Sequence, residues 1–126
     1  MADALVIDDH LETAEGLRGM LSLLGYGVRV ALGPRPALEA MAQCVPDVIF
    51  LDIHMRGLDG VEVCRYIRRD PRTARAIIVA ISSDTQPELI AQVRAAGADG
   101  FLAKPIDMRD LEDVTEEITL RLALPR

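Results

Sequence analysis

A chain of 126 residues, half of them hydrophobic, has the right size for one compact domain with a single core. Only 3% of the residues are aromatic and there is no Trp, so aliphatic side chains have to fill that core. The formal net charge of −6 argues against general binding to nucleic acid, because a phosphate backbone requires clustered cations.

Short runs of apolar and β-branched residues predict five strands, and segments with helical periodicity separate them. The predicted strands cover residues 4–7, 28–31, 48–51, 77–81 and 100–103. These runs are continuously apolar rather than alternating, which is typical of strands that are covered on both faces. The sequence therefore predicts an α/β domain with a parallel sheet between two layers of helices.

The helical segments have recognisable faces and ends. In the first, Ala14, Leu17 and Leu21 share one face, and Gly25 is expected to end the helix. Pro34 or Pro36 is expected to open the second helix, which runs to about residue 43. The remaining three helices are predicted from the apolar faces Val61/Cys64/Ile67, Leu89/Ile90/Val93 and Leu111/Val114/Ile118, the last beginning near Met108.

The cysteines and the ends of the chain carry further expectations. Cys44 and Cys64 are too few for a disulfide framework, and both fall in helical patterns, so we expect both to be buried as small hydrophobic residues. The first residues lack the basic and apolar regions of a signal peptide, and no segment approaches membrane-spanning length. We therefore expect a cytoplasmic protein that does not contact a membrane.

Reactive side chains follow four of the five predicted strands, at the point where each strand ends. Because the carboxyl ends of parallel strands meet at one edge of a sheet, we expect these side chains to lie close together. The first strand is followed by Asp8 and Asp9, the third by Asp52, the fourth by Ser82 and the fifth by Lys104. The second strand, followed by Leu32 and Gly33, contributes no reactive group.

The predicted cluster has a composition that suits phosphoryl chemistry. Its carboxylates repel one another, so we expect the pKa of at least one of them to be raised. Mg²⁺ prefers oxygen ligands and would relieve that repulsion. Lys104 adds a positive charge and Ser82 adds a hydroxyl group, so phosphoryl oxygens could bind here while one aspartate acts as the nucleophile.

Taken together, Asp8-Asp9, Asp52, Ser82 and Lys104-Pro105, with the segment GADGFLAKP at 97–105, resemble the receiver domain of two-component response regulators. The resemblance covers essentially the whole chain. It implies a flavodoxin-like, doubly wound sheet of five parallel strands in the order 2-1-3-4-5, with five helices. It also implies a signalling module, not a turnover enzyme, that receives a phosphoryl group from a histidine kinase or a histidine phosphotransfer protein.

The resemblance implies a role for each matching residue. Asp52 corresponds to the phosphoacceptor. Mg²⁺, with Mn²⁺ as an alternative, would bind Asp9 and Asp52 directly, Asp8 through water, and the backbone carbonyl of His54. Ser82 and Lys104 would contact the phosphoryl group, and Ser82 together with Phe101 would form a conformational switch.

Several nearby positions are expected to tune the site. Arg56 stands where the family commonly has proline, and Ser83 stands where a small apolar residue is usual. His54 and Asp84 lie two residues beyond the acceptor and the hydroxyl residue, where the family controls the access of hydrolytic water. We hypothesise that His54, Arg56 and Asp84 set the lifetime of the acyl phosphate.

Two other functions fit parts of the pattern. A phosphohydrolase of the haloacid-dehalogenase type also gathers an aspartate, a hydroxyl group, a lysine and Mg²⁺ at strand ends. It requires a second acid two residues after the nucleophile, where this chain has His54. A pseudo-receiver would keep the fold and lose the chemistry, which the complete set of acids disfavours.

The surface and the extent of the chain give the last expectations. Around the first helix we expect a histidine-bearing partner to dock on exposed positions, namely Leu11, Ala14, Glu15 and Arg18. A basic cluster is expected to be a solvated face, and it consists of Arg65, Arg68, Arg69, Arg72 and Arg75. We expect one receiver domain over residues 1–126 without an output domain, as a monomer or a phosphorylation-dependent dimer. We also expect an unknown downstream protein target and no direct contact with nucleic acid.

Overall fold

Strands and helices alternate along the chain in the computed structural model, which describes residues 2–124. In chain order the elements are β1 (Asp3–Ile7), α1 (Leu11–Leu23), β2 (Gly27–Ala31), α2 (Pro34–Gln43), β3 (Val48–Asp52), β4 (His54–Met55), β5 (Leu58–Asp59), α3 (Gly60–Arg69), β6 (Ile77–Ser82), α4 (Pro87–Ala95), β7 (Gly100–Ala103) and α5 (Met108–Leu122).

The main sheet has five parallel strands in the order β2-β1-β3-β6-β7. Counted among the five predicted strands, this is the order 2-1-3-4-5, so the predicted doubly wound sheet is confirmed. After β1 the chain adds β2 on one side and then β3 on the other, so the strand order reverses next to β1. Open α/β sheets bind ligands at the carboxyl edge beside such a reversal.

The side chains of the central strands alternate between two apolar layers. Leu5, Ile49 and Leu51 pack on the face that α2, α3 and α4 cover. Val6, Val48 and Phe50 point to the opposite face, which α1 and α5 cover. All five residues of β3 are buried, as its continuous apolar sequence predicts. Burial on both faces holds the carboxyl end of β3 in a rigid position.

A small antiparallel hairpin, which the sequence analysis missed, lies between β3 and α3. His54 pairs with Asp59 and Met55 pairs with Leu58, and Gly57 has the positive φ of 70° that the turn requires. The Asp59 carboxylate then accepts a hydrogen bond of 2.9 Å from Val61 N and caps α3. The segment that follows Asp52 is therefore a defined hairpin and not an irregular loop.

Two predictions about individual side chains are wrong. Cys44 is exposed, because α2 ends at Gln43 and the backbone of Cys44 is extended, with φ −159° and ψ 124°. Cys64 is buried, as predicted. Ala14 was expected at an exposed docking surface, but it lies on the buried face of α1, while Leu11, Glu15 and Arg18 are exposed.

The basic cluster is also not uniformly a solvated face. Arg68 is half-buried, and its guanidinium group donates to the carbonyls of Gly97, Ala74 and Ala76 at 2.9, 2.9 and 2.5 Å. It also pairs with Asp99 Oδ2 at 2.7 Å. The other four arginines of the cluster are exposed, as predicted.

Asp99, just before β7, joins several elements. Its carboxylate accepts hydrogen bonds from Arg68 on α3 at 2.7 Å and from Ile78 N on β6 at 2.9 Å, and it forms an ion pair of 2.9 Å with Arg121 on α5. These contacts lie at the amino edge of the sheet, where β6 and β7 begin. The network ties two helices to the sheet at that edge.

Within residues 2–124, no helix combines the length and the apolar composition that crossing a bilayer requires.

Candidate functional site

The side chains predicted to converge do meet at the carboxyl edge of the sheet. Asp52 and Ser82 are the last residues of β3 and β6, while Asp8 and Lys104 immediately follow β1 and β7. Lys104 Nζ lies 3.3 Å from Asp8 Oδ2 and 3.4 Å from Asp52 Oδ2. A single ammonium group therefore bridges carboxylates from two neighbouring strands.

Asp52 lies at the centre of this cluster. Only 2% of its surface is exposed, and its Oδ1 accepts a hydrogen bond of 3.1 Å from His54 N. Burial is the main cause that raises the pKa of the Asp52 carboxyl group, and the Asp8 carboxylate raises it further, whereas the hydrogen bond from His54 N and the Lys104 ammonium lower it. The prediction that one pKa is raised is confirmed, although burial contributes more than the repulsion between carboxylates.

Asp9 has two oxygens in different environments. Oδ2 accepts a hydrogen bond of 3.0 Å from Arg56 N, which is the main reason that the pKa of Asp9 is lowered. Oδ1 is buried, and no donor in the described part of the chain makes a hydrogen bond to it. A buried carboxylate oxygen that lacks a donor is left without compensation for its lost hydration.

The acidic cluster fits a divalent cation. Asp8, Asp9, His10 and Asp52 each offer one ligand atom, and these four atoms lie within 4.8 Å of one another. The unbonded Asp9 Oδ1 is a free acceptor at this position. Oxygen-rich sites with several carboxylates are suited to Mg²⁺ and Mn²⁺. The residues present therefore match the ion that the sequence analysis predicted.

His10 belongs to the cluster and was missed in the sequence analysis. Its backbone N–H donates to Asp8 Oδ1 at 2.9 Å, and its ring Nδ1 lies 3.0 Å from Asp9 Oδ1. Its position directly after the two acids was the available signal.

Ser82 and Phe101, the two residues predicted to form a switch, lie on the paired strands β6 and β7. Ser82 is fully buried, and its Oγ accepts a hydrogen bond of 2.9 Å from Asp84 N. Lys104 N donates to Ser82 O at 2.9 Å, which connects the ends of β6 and β7. Phe101, on β7, is half-buried and packs against the layer covered by α2, α3 and α4.

The residues predicted to tune the site lie at its rim. The side chains of His54, Arg56 and Asp84 are all exposed. Arg56 is 88% exposed, and its Nε lies 3.7 Å from Asp9 Oδ2. Ser83 is exposed as well, so a polar side chain at this position carries no burial cost.

Comparison with known proteins identifies relatives of this chain. The family described as response regulator receiver domain matches residues 4–116. The response regulator MprA of Mycolicibacterium vanbaalenii is 40% identical over 107 residues, which cover 85% of this chain and 46% of that protein. MprA of Mycobacterium bovis is 35% identical and covers 94% of this chain and 56% of that protein. The chain thus spans about half the length of these curated relatives.

Solved structures show the same architecture. The chemotaxis protein CheY4 of Vibrio cholerae superimposes with a TM-score of 0.87 at 28% identity, covering 94% of this chain and 98% of that one. A two-component response regulator from Clostridium difficile superimposes with a TM-score of 0.90 at 25% identity, covering 98% and 100%. The signal receiver domain of a DNA-binding response regulator from Colwellia psychrerythraea reaches 0.88 at 28% identity, covering 94% and 98%.

Proposed function

This chain belongs to the response regulator receiver domain family, and from that premise we propose that it accepts a phosphoryl group on Asp52. The donor is a phosphohistidine of a histidine kinase or a histidine phosphotransfer protein. The chain then acts as a signalling module whose binding surface depends on phosphorylation, and it does not turn over an external substrate.

The position of Asp52 carries this proposal. Its Oδ1 is occupied by the hydrogen bond from His54 N, while its Oδ2 lies 3.4 Å from Lys104 Nζ. An Asp52 oxygen would form the new bond to phosphorus as the P–N bond of the phosphohistidine breaks and the donor imidazole leaves. The Lys104 ammonium would balance the charge of a phosphoryl oxygen at the end of the buried strand.

We propose that the acidic residues hold Mg²⁺, with Mn²⁺ as an alternative. Asp9 and Asp52 would supply carboxylate oxygens, the backbone carbonyl of His54 would supply another oxygen, and Asp8 would act through water. The ion would contribute positive charge for the phosphoryl oxygens. The buried Asp9 Oδ1, to which no donor in residues 2–124 hydrogen-bonds, supports this assignment.

The switch would start at Ser82. Its Oγ now accepts from Asp84 N, and an acyl phosphate at Asp52 would offer the hydroxyl group a stronger acceptor. Movement of Ser82 would pull on the segment between β6 and α4 and make room for Phe101 to turn inward. Such a shift biases a two-state equilibrium and thereby changes the surface that a partner binds.

Three rim residues would set how long the acyl phosphate lasts. His54 and Asp84 would control the approach of water, and Arg56 would add a positive charge to the same opening. Arg56→Pro removes both the guanidinium group and the N–H that donates to Asp9 Oδ2. Comparing the decay of the phosphorylated variant and the unmodified chain tests this role, and equal decay rates would refute it.

The wider assignments rest on the family and on the surface. Residues 1–126 would form the receiver unit, in the cytoplasm, as a monomer or a phosphorylation-dependent dimer. The exposed Leu11, Glu15 and Arg18 of α1 would receive the histidine-bearing partner. A downstream protein target fits the net charge of −6 better than direct contact with nucleic acid.

Treatment with a small acyl-phosphate donor and Mg²⁺ tests the central proposal. Intact-mass measurement should find one added phosphoryl group, and Asp52→Asn should abolish it. Asp113→Asn, which changes an exposed acid on α5, is the matched control and should be labelled normally. No labelling under any donor would indicate a pseudo-receiver, and continuous hydrolysis of a phosphate ester would indicate a phosphohydrolase.

A further inference from the structure

His10 places an imidazole beside the acids of the site. Its Nδ1 lies 3.0 Å from Asp9 Oδ1 and 3.5 Å from Asp8 Oδ1. The residue occupies the N-cap position of α1, yet within residues 2–124 its side chain makes no capping hydrogen bond. The imidazole therefore does not cap the helix through a hydrogen bond.

The spacing of these atoms is that of two ligands of one ion. Bonds of about 2.1 Å at right angles, as in an octahedral site, place neighbouring ligand atoms about 3 Å apart. Asp9 Oδ1 and His10 Nδ1 are separated by 3.0 Å, and the described part of the chain supplies no hydrogen bond to this buried oxygen. The two atoms thus have the separation that two ligands of one ion would have.

We propose that His10 is a nitrogen ligand of the divalent cation at this site and makes the site selective for transition-metal ions over Mg²⁺. The inference rests on the proposed metal site of the receiver function. Neutral imidazole suits Co²⁺ and Ni²⁺, whereas Mg²⁺ favours oxygen ligands. The advantage that His10 provides therefore increases from Mn²⁺ through Co²⁺ to Ni²⁺.

A simpler role for His10 makes the opposite prediction. If the ring only pairs with Asp8 and Asp9 as an imidazolium cation, it competes with every metal ion for the same carboxylates. Its removal would then raise the affinity for Mg²⁺ and Ni²⁺ alike. If the ring is a ligand, its removal lowers the affinity for Ni²⁺ and Co²⁺ selectively.

Calorimetric titration of the tag-free chain with Mg²⁺, Mn²⁺, Co²⁺ and Ni²⁺ at neutral pH separates the two roles. For His10→Ala we expect at least about a tenfold loss of affinity for Ni²⁺ and Co²⁺, with a much smaller change for Mg²⁺. Asp113→Asn, which changes an exposed acid on α5, is the control. Its ratio of Ni²⁺ to Mg²⁺ affinity should stay that of the unmodified chain.

Pulsed electron paramagnetic resonance of the Mn²⁺-loaded chain gives a second measurement. A nitrogen coupling from imidazole should be present in the unmodified chain and in His54→Ala, and absent in His10→Ala. The proposal is overturned if this coupling follows His54, if His10→Ala binds all four ions more tightly, or if the unmodified chain does not bind Co²⁺ and Ni²⁺. These measurements need no phosphoryl donor, so they can fail independently of the labelling of Asp52.

Discussion

Gly60, the first residue of α3, lies so close to Ile53 that a side chain has no room. A Cβ atom at position 60 would lie 2.5 Å from Ile53 Cα and 2.6 Å from Ile53 O. Carbon atoms in contact are normally about 3.5–4.0 Å apart, so the backbone would have to separate by about 1 Å. Because Ile53 directly follows Asp52, the displacement would reach the carboxylate at the end of β3.

The cost of Gly60→Ala follows from these contacts. Overpacking of a well-packed region costs about 1–3 kcal/mol. The separation would also break the hydrogen bond of 3.2 Å from Gly60 N to Ile53 O, at about 1 kcal/mol. We therefore expect the free energy of unfolding to fall by about 2–4 kcal/mol.

Urea unfolding followed by circular dichroism measures this loss. The midpoint for Gly60→Ala should fall by roughly 1–2 M, given the usual dependence of stability on urea for a domain of this size. Gly19→Ala is the control, because among the described residues no atom lies within 4 Å of a Cβ atom built at this exposed helical position. It should stabilise the chain by about 0.5–1 kcal/mol. An unchanged midpoint for Gly60→Ala would refute the reasoning about the Ile53 contact.

Three further changes test other contacts. Arg68→Ala should lower the free energy of unfolding by about 2–4 kcal/mol, because it removes four hydrogen bonds to acceptors that are at least half-buried. For the exposed control Arg65→Ala, the free energy of unfolding should change by less than about 0.5 kcal/mol. Asp52→Asn should raise the free energy of unfolding in EDTA at pH 7, because the raised pKa means that folding disfavours the carboxylate. This gain in stability should shrink as the pH falls through the raised pKa toward 3.8, where the carboxyl group becomes protonated in both states. A gain that does not change with pH would contradict the role of the Asp52 charge. Arg56→Ala should tighten Mg²⁺ binding about two- to fivefold in a calorimetric titration, because it removes an exposed cation 3.7 Å from Asp9 Oδ2. Weaker binding would contradict the idea that the Arg56 guanidinium group and Mg²⁺ compete for Asp9.

The strands and helices could be predicted because their signals are local and repeated. The run from Val48 to Leu51 is apolar at every position, and the structure buries it on both faces. Gly25 has a positive φ of 93° just beyond α1, where glycine ends helices most easily. The parallel order then brought Asp8, Asp52 and Lys104 together, since each follows or ends a strand of the same sheet.

The missed features depend on contacts between distant residues or on elements too short to show a period. The hairpin of β4 and β5 has two residues per strand, so no alternation can be read from its sequence. Cys44 continues the helical pattern of α2, yet the Arg29 guanidinium binds the carbonyls of Ala40 and Cys44 at 2.7 and 2.6 Å, where the helix stops. The local sequence does not distinguish Arg68 from the exposed arginines near it, because its ion pair with Asp99 forms only in the tertiary structure.

Asp99 has a consequence for how the domain can move. Its bonds to Arg68 and Arg121 fasten α3 and α5 at the end of the sheet opposite Asp52. A displacement that begins beside Asp52 would therefore act on two helices, α3 and α5, that are fixed to the sheet at the end remote from Asp52. The helices would then tilt about that point instead of sliding along the sheet, and the largest displacements would occur at the carboxyl edge, beside Asp52.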